Sequence, residues 1–463
     1  MQKERDLMDY SAANVGAWNF IIQLGAIALA VIVANILRRR VPFIRKGLMP
    51  VAVLAGFLLL ILKTFGLFKP DNNLLELLVY HCIALGFIAM SLRRTRPDKN
   101  ADSRSAGFKS GATIVGTYLV QAVTGLIISI GLAYTFMPEL FKAAGLLLPM
   151  GYGQGPGQAN NIGTSYEVLG FTGGRSFGLA ISAAGYLCAC TVGVVILNRW
   201  KKQGCLRNAS ADTVDESAAE DFFQDKNEIP ITDSIDKLSI QAVLVLGVYL
   251  LSYLLTWGVT SGISAISAGL AKTVNSLLWG FNFIIGSALA MAVSKLLEKG
   301  QKAGLITRQY QNNYLLNRLS GFFFDLMIVA GIASINLEDI SGLWVPFLLL
   351  AVAGGVITWL YLSFISKKVY GDYCREGLIS MYGMLTGTIG SGILLLREID
   401  PELNTPAANN LVVGSSYAIV LGAPILVFVS LAAESTLLCF VTLGLASVYL
   451  CILTAFLCKK KKG

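Results

Sequence analysis

The sequence PMGYGQGPGQANNIG, residues 149–163, decides how this chain is read. Gly151, Gly153, Gly155 and Gly157, with Pro156, interrupt a helical hydrogen-bond ladder, because proline lacks the donor and glycine loosens the backbone. Yet the run is led in by the apolar residues 145–150, and a long apolar pattern follows from Ser176. Irregular backbone in such a setting must be buried in protein or line a wet cavity, because lipid offers no hydrogen bonds. Freed carbonyls are ligands for Na⁺; freed amides and helix N-termini favour carboxylates. Gln154, Gln158, Asn160, Asn161 and Thr164 add neutral polar groups.

A second stretch of this kind is MLTGTIGSG, residues 384–392. It carries Thr386, Thr388 and Ser391 among Gly390 and Gly392, and LLLREIDP, residues 394–401, follows it. An Asn pair comes after each glycine-rich tip, Asn160-Asn161 and Asn409-Asn410, at different spacing.

Around these two stretches the composition is that of an integral membrane protein. Of 463 residues, 55% are hydrophobic and 14% charged, against about 45–50% and about 25% in soluble domains. The mean hydropathy is +0.64. A spanning helix needs about 20 apolar residues, so the length allows about eleven spans and little else. A large soluble catalytic domain and a nucleic-acid-binding module are excluded. The net charge of +9 is carried by basic residues in short loops, where it reports topology. No cleavable signal core is expected, since the first apolar run is too long for one. The eight cysteines are read as free thiols, and the single histidine, His81, as structural.

The expected spans are 18–37, 50–67, 74–92, 110–136 and 176–200, then 238–257, 275–297, 319–335, 343–365 and 409–430, with an extra helix at 436–457. Basic clusters at 38–46, 93–109, 201–207, 295–318, 367–375 and 459–462 mark every second loop as cytoplasmic. The N-terminus is then outside and the C-terminus inside. The chain divides into a first repeat at 1–200 with a re-entrant hairpin at about 141–165, a linker at 201–237, and a second repeat at 238–432 with a hairpin at about 376–397. Residues 433–463 form the extra helix and a basic tail. An odd span count per half puts the two repeats in opposite orientation, the plan of many secondary transporters. The expected fold is thus all-α and polytopic, with two inverted repeats.

Ionisable groups at membrane depth are few. Asp325, within FFFDLM at 322–327, is either a coupling group, for a cation or a proton, or a structural carboxylate paired with a neighbour. Glu434 is read as a turn residue. Arg397 and Glu398 are placed at the inner mouth, with Arg397 a loop cation or a partner for a substrate carboxylate. The expected substrate and ion site is Gln154, Gly155, Pro156, Gly157, Gln158, Asn160, Asn161, Thr164, Thr386, Thr388, Gly390, Ser391 and Gly392.

At these two stretches the sequence resembles the bacterial sodium/glutamate symporter family. The resemblance rests on residues 151–163 with Tyr166, Gly170 and Phe171, and on residues 386–392 with 396–401. It implies ten spans with two re-entrant hairpins, a homodimer in the inner membrane, and a moving domain that carries Na⁺ and glutamate past a fixed scaffold. It places the site at residues 154–161 and 386–392. Two departures stand out: Gln154 occupies the place where the family often has a histidine, and the last helix is additional. The former bears on substrate identity, the latter only on topology. A proton-coupled carrier or exporter of a small organic anion using Asp325 is the alternative. A membrane enzyme is disfavoured, since one histidine and no paired intramembrane carboxylates leave no nucleophile–base pair.

Overall fold

The computed structural model describes residues 11, 14–42, 44, 49–94, 101–203, 237–266, 278–279, 282–306, 308–400 and 405–459. Among them the regular elements are all helical. They are α1 (Val15–Arg40), α2 (Val51–Thr64), α3 (Asn72–Ser91), α4 (Ala101–Thr135), α5 (Pro156–Val168), α6 (Gly174–Lys202) and α7 (Lys237–Ile266). After these come α8 (Asn282–Lys302), α9 (Asn313–Ser334), α10 (Trp344–Val369), α11 (Cys374–Thr386), α12 (Ile389–Arg397), α13 (Ala407–Glu434) and α14 (Thr436–Cys458). Among the described residues nine helices, α1, α3, α4, α6, α7, α9, α10, α13 and α14, are long and apolar enough to cross a bilayer. The chain is an all-α polytopic membrane protein.

Eleven spans were expected, and the difference has a physical cause in each case. With 14 residues, α2 reaches only about 21 Å at about 1.5 Å per residue, short of about 30 Å of hydrocarbon. Helix α8 carries Lys295, Glu298, Lys299 and Lys302 towards its C-terminus. Most of the expected linker, and much of the expected start of span seven, lie outside the described residues.

Two cores divide the molecule. One gathers buried side chains of α4, α10, α11, α13 and α14 with those of residues 140–171. The other gathers α1, α2, α3 and α9. Helix α6 serves both. Phe177 and Ile181 face the first core; Leu179, Ala180, Ala183 and Tyr186 face the second. Helices α7 and α8 join the second body through a smaller cluster with Ile88, Leu92 and Leu316. Apolar side chains along α1, α7 and α14 point outward, as a lipid-facing surface requires.

In lipid the packing of small residues, more than hydrophobic burial, holds helices together. Helices α4 and α13 meet at Gly111 and Gly414; a Cβ on Gly414 would stand 2.8 Å from the Ser110 Cβ. Farther along α4, a Cβ on Gly145 would overlap the Gly125 carbonyl, and the reverse substitution would overlap the Gly145 carbonyl. The segment Lys142–Leu146 is thereby pressed against α4.

At the Asn72 end of α3 the two bodies are tied by charge. Arg175, at the start of α6, pairs with Glu76 of α3. Its backbone N–H donates to Glu167 at 3.1 Å, and Ser176 Oγ donates to Asp339 Oδ2 at 2.9 Å. Lys63 Nζ donates to the carbonyls of Ile335 at 3.0 Å and Ser334 at 3.4 Å. A cation here satisfies the open C-terminal carbonyls of α9 and complements its dipole. Gly173 closes the cluster, with φ at 76° and room for no side chain beside the Asp339 carbonyl, 2.6 Å away.

Gly145→Val will lower the melting temperature of the purified protein, at a cost of about 1–3 kcal/mol for overpacking. Gly131→Val, at an exposed position of α4 with nothing within 4 Å, is the control and will change it little. Thermal unfolding of the two variants side by side checks this.

Candidate functional site

The first glycine-rich stretch folds as three pieces. Lys142–Leu146 is a 3-10 turn, Pro149–Gly153 a π turn, and Pro156 opens α5. The interruption itself is confined to Gln154 and Gly155. Gly155 has φ 88° and ψ −176°, a conformation that L side chains rarely adopt. The expectation that the whole stretch is irregular is therefore corrected. Pro156 stands at the first helical position, where its missing donor costs nothing. Gly157 is helical, and glycine is needed there because a Cβ would collide with Ile83 of α3. Upstream, Tyr152 donates its hydroxyl to the Ala351 carbonyl of α10 at 2.5 Å, which holds the π turn in place.

The second stretch is a helix pair. Helix α11 ends at Thr386, α12 starts at Ile389, and Gly387 and the extended Thr388 link them. The two helices touch through glycine: Gly383 and Gly392 face each other, a Cβ on the former lying 2.9 Å from the latter's Cα. A helix that stops at depth leaves open carbonyls. Gln121 of α4 closes one of them. Its Nε2 donates to the Leu385 carbonyl at 3.0 Å and to Thr358 Oγ1 at 2.8 Å. Its own Oε1 accepts no hydrogen bond among the described residues. That oxygen lies 3.0 Å from where a Gly153 Cβ would be. Gln121 thus spans from one interruption to the other.

Between the two bodies lies a cavity of about 280 Å³. Gly153, Gln154 and Gln158 reach it from the first interruption; Gly387, Thr388 and Gly390 reach it from the second. Tyr118 of α4 and Ser415 of α13 complete the polar side. The opposite wall belongs to α3, α8 and α9 and is apolar, with Ile83, Phe87, Phe283, Phe324 and Met327, except for Asp325. Among the described residues no lysine, arginine or histidine lines the cavity. The N-termini of α5 and α12 both open on it, so backbone amides and partial positive charge face its interior. The cavity sits towards the Ser91 end of α3; the Asn72 end is where the charge cluster joins the bodies.

Of the thirteen residues expected in the site, Gln154, Gln158, Thr388 and Gly390 line the cavity, and Asp325 does too. Gly155 caps α5 and shapes the interruption. Pro156, Gly157 and Gly392 are packing residues. Asn160 and Asn161 are buried behind the tip, and Ser391 behind the other, away from the cavity wall. The Thr386 hydroxyl is turned back to the Tyr382 carbonyl at 2.7 Å. Thr164 is on the exposed side of α5. These last five do not line the cavity: each lies beyond the first turn of its helix or on its far face. Arg397 ends α12, about 12 Å of helix from the Thr388 tip at about 1.5 Å per residue, and is exposed. His81 binds Tyr249 through Nδ1 at 2.6 Å and touches no cavity residue by that bond.

Sequence reasoning missed the aromatic side of the cavity and Gln121. A phenylalanine on an apolar helix carries no mark of which way it faces. A glutamine inside the apolar pattern of α4 was a visible signal. Among the described residues no three His, Cys, Asp or Glu side chains gather as a metal site. A scan against protein-family models finds no match, and a search of curated proteins finds none either.

Replacing Gln121 by leucine leaves the Leu385 carbonyl and Thr358 hydroxyl buried without that donor. The variant will lose roughly 1–3 kcal/mol of stability, read as a lower melting temperature, and any ligand bound between the two interruptions will bind more weakly. Thermal unfolding with and without ligand checks both.

Proposed function

We propose that the chain is a sodium-coupled secondary transporter that takes up glutamate or a related small carboxylate by alternating access. The observation that carries this is the meeting of two helix interruptions, from opposite halves of the chain, on one small cavity. Two helix N-termini and the amides of Gln154 and Gln158 favour a carboxylate there. The volume is at the small end of ligand pockets, about 300–1,000 Å³, and suits a compact solute.

The two halves are inverted repeats in this reading. The alternation of basic loops supports it, with the N-terminus outside and the C-terminus in the cytoplasm. The segments 141–165 and 376–397 are the re-entrant hairpins, one from each face. The two cores suit an elevator: α1, α2, α3, α7, α8 and α9 as scaffold, and the remaining helices as the body that moves, in a homodimer. With this orientation the cavity lies in the cytoplasmic half, and the Glu76–Arg175 cluster closes the outer side.

Na⁺ suits an oxygen left open near the interruptions, such as Gln121 Oε1. Each Na⁺ moving inward down about 100 mV contributes about 2.3 kcal/mol. An anionic solute offsets part of that, so more than one Na⁺ per glutamate is expected. Proton coupling through Asp325 is the second reading, favoured by the placement of that carboxylate on the cavity wall.

Liposomes holding the purified protein will accumulate radiolabelled L-glutamate under an inward Na⁺ gradient and not with K⁺ in place of Na⁺. Absence of uptake in both salts, from folded protein, overturns glutamate as the substrate. Uptake that follows a proton gradient and is indifferent to Na⁺ favours the second reading. A reporter fused at the C-terminus will be protected from external protease in intact cells.

A further inference from the structure

The polar groups of the cavity are divided by sign. Gln154, Gln158, Thr388 and the helix N-termini, all neutral donors or positive dipole ends, stand on one side. Asp325 stands on the other, where the residues lining the cavity are otherwise apolar and the buried Tyr186 hydroxyl of α6 interacts with it electrostatically. Among the described residues no lysine, arginine or histidine forms an ion pair or hydrogen bond with it, and none lines the cavity. A carboxylate set in an apolar wall is costly unless a cation meets it. That cation has to arrive with the cavity's contents.

The surroundings of Asp325 select among cations. An alkali ion stripped of water needs a shell of oxygens, and the cavity lining on this wall is Phe324, Met327, Ile328 and Phe87, to which the Tyr186 hydroxyl adds a single oxygen near Asp325. Rings serve an organic ammonium instead, since their negative faces attract it. Three rings are gathered on this wall. Phe87 lies 5.4 Å from Phe283 and 5.4 Å from Phe324, centroid to centroid, the latter pair edge to face. All three line the cavity beside Asp325. A carboxylate among aromatic rings is the chemistry of an ammonium subsite.

We propose that Asp325, with Phe87, Phe283 and Phe324, binds the ammonium group of an amino-acid substrate whose carboxylate lies against the N-termini of α5 and α12. This rests on the transporter reading above and narrows it: the solute is a zwitterion, not any small carboxylate, and Asp325 is a specificity residue. Gln158 completes the carboxylate side, being 2% exposed, on the cavity wall, and with an amide oxygen that has no partner among the described residues. Either orientation of that amide can be used, since the two are interchangeable by a flip.

The experiment is a thermal-shift titration of full-length protein in Na⁺ buffer with matched pairs: L-glutamate and glutarate, L-alanine and propionate, L-leucine and 4-methylpentanoate. In the wild type one amino acid will stabilise the protein, and its partner without the amine will bind at least about 100-fold more weakly, as sites built to pair a polar group reject analogues lacking it. In Asp325→Asn the amino acid will fall to within about tenfold of its partner, while Phe324→Leu will weaken the amino acid alone by several-fold. Equal binding of both members of a pair by the wild type overturns the proposal. So does a preference unchanged in both variants, or no binding by any amino acid in the panel. Stabilisation by Na⁺ alone that vanishes in Asp325→Asn also overturns it, because the carboxylate is then an ion ligand. An amino acid other than glutamate as the one that binds upholds the subsite and rejects glutamate. Should Asp325→Asn not fold, Phe324→Leu decides by the same preference.

Discussion

A buried backbone group has to find its partner within the chain, and the arrangement of the site follows from two places where a helix is interrupted. Each stop leaves amides on one side and carbonyls on the other. The protein meets that demand with particular side chains. Gln121 holds the Leu385 carbonyl, Tyr152 secures the π turn to α10, and Lys63 takes the last carbonyls of α9. Among the groups left open, the Gln158 amide oxygen faces the cavity and the Gln121 amide oxygen lies behind its wall.

Packing around the stops follows the same logic. The segments that interrupt are glycine-rich because their neighbours come close. Gly145 meets the backbone of α4, Gly157 meets Ile83, and Gly383 meets Gly392. Close approach lets an irregular segment be fully surrounded by protein, which replaces the hydrogen-bonding solvent that lipid is not. Helix α6 then serves as the common wall, with one face in each core.

Much of the fold was legible because a spanning helix is an averaged property. The expected 74–92 became Asn72–Ser91, and the expected 436–457 became Thr436–Cys458. Where averaging fails, the sequence misleads: α2 is apolar but short, and α8 is long but charged at one end. The glycines marked both interruptions, yet not their extent, because Pro156 starts a helix as readily as it ends one. Gln154, Gln158, Thr388 and Asp325 were legible as polar groups in apolar surroundings. Thr386 and Thr164 had the same signal and face elsewhere, since composition does not say which side of a helix a residue takes. The aromatic wall left no trace in the sequence for the same reason.

The cavity is not inside either body but along the seam between them, and that placement has a mechanical meaning. A solute touching Gln154 on one side and Asp325 on the other is a strut between two otherwise separable parts. Its contact energy adds to the cohesion of the seam. With the strut in place the relative position of the bodies is more narrowly defined. At the far end of the seam the Arg175–Glu76 pair, the Ser176–Asp339 hydrogen bond and the packing of α6 into both cores hold the bodies together without it.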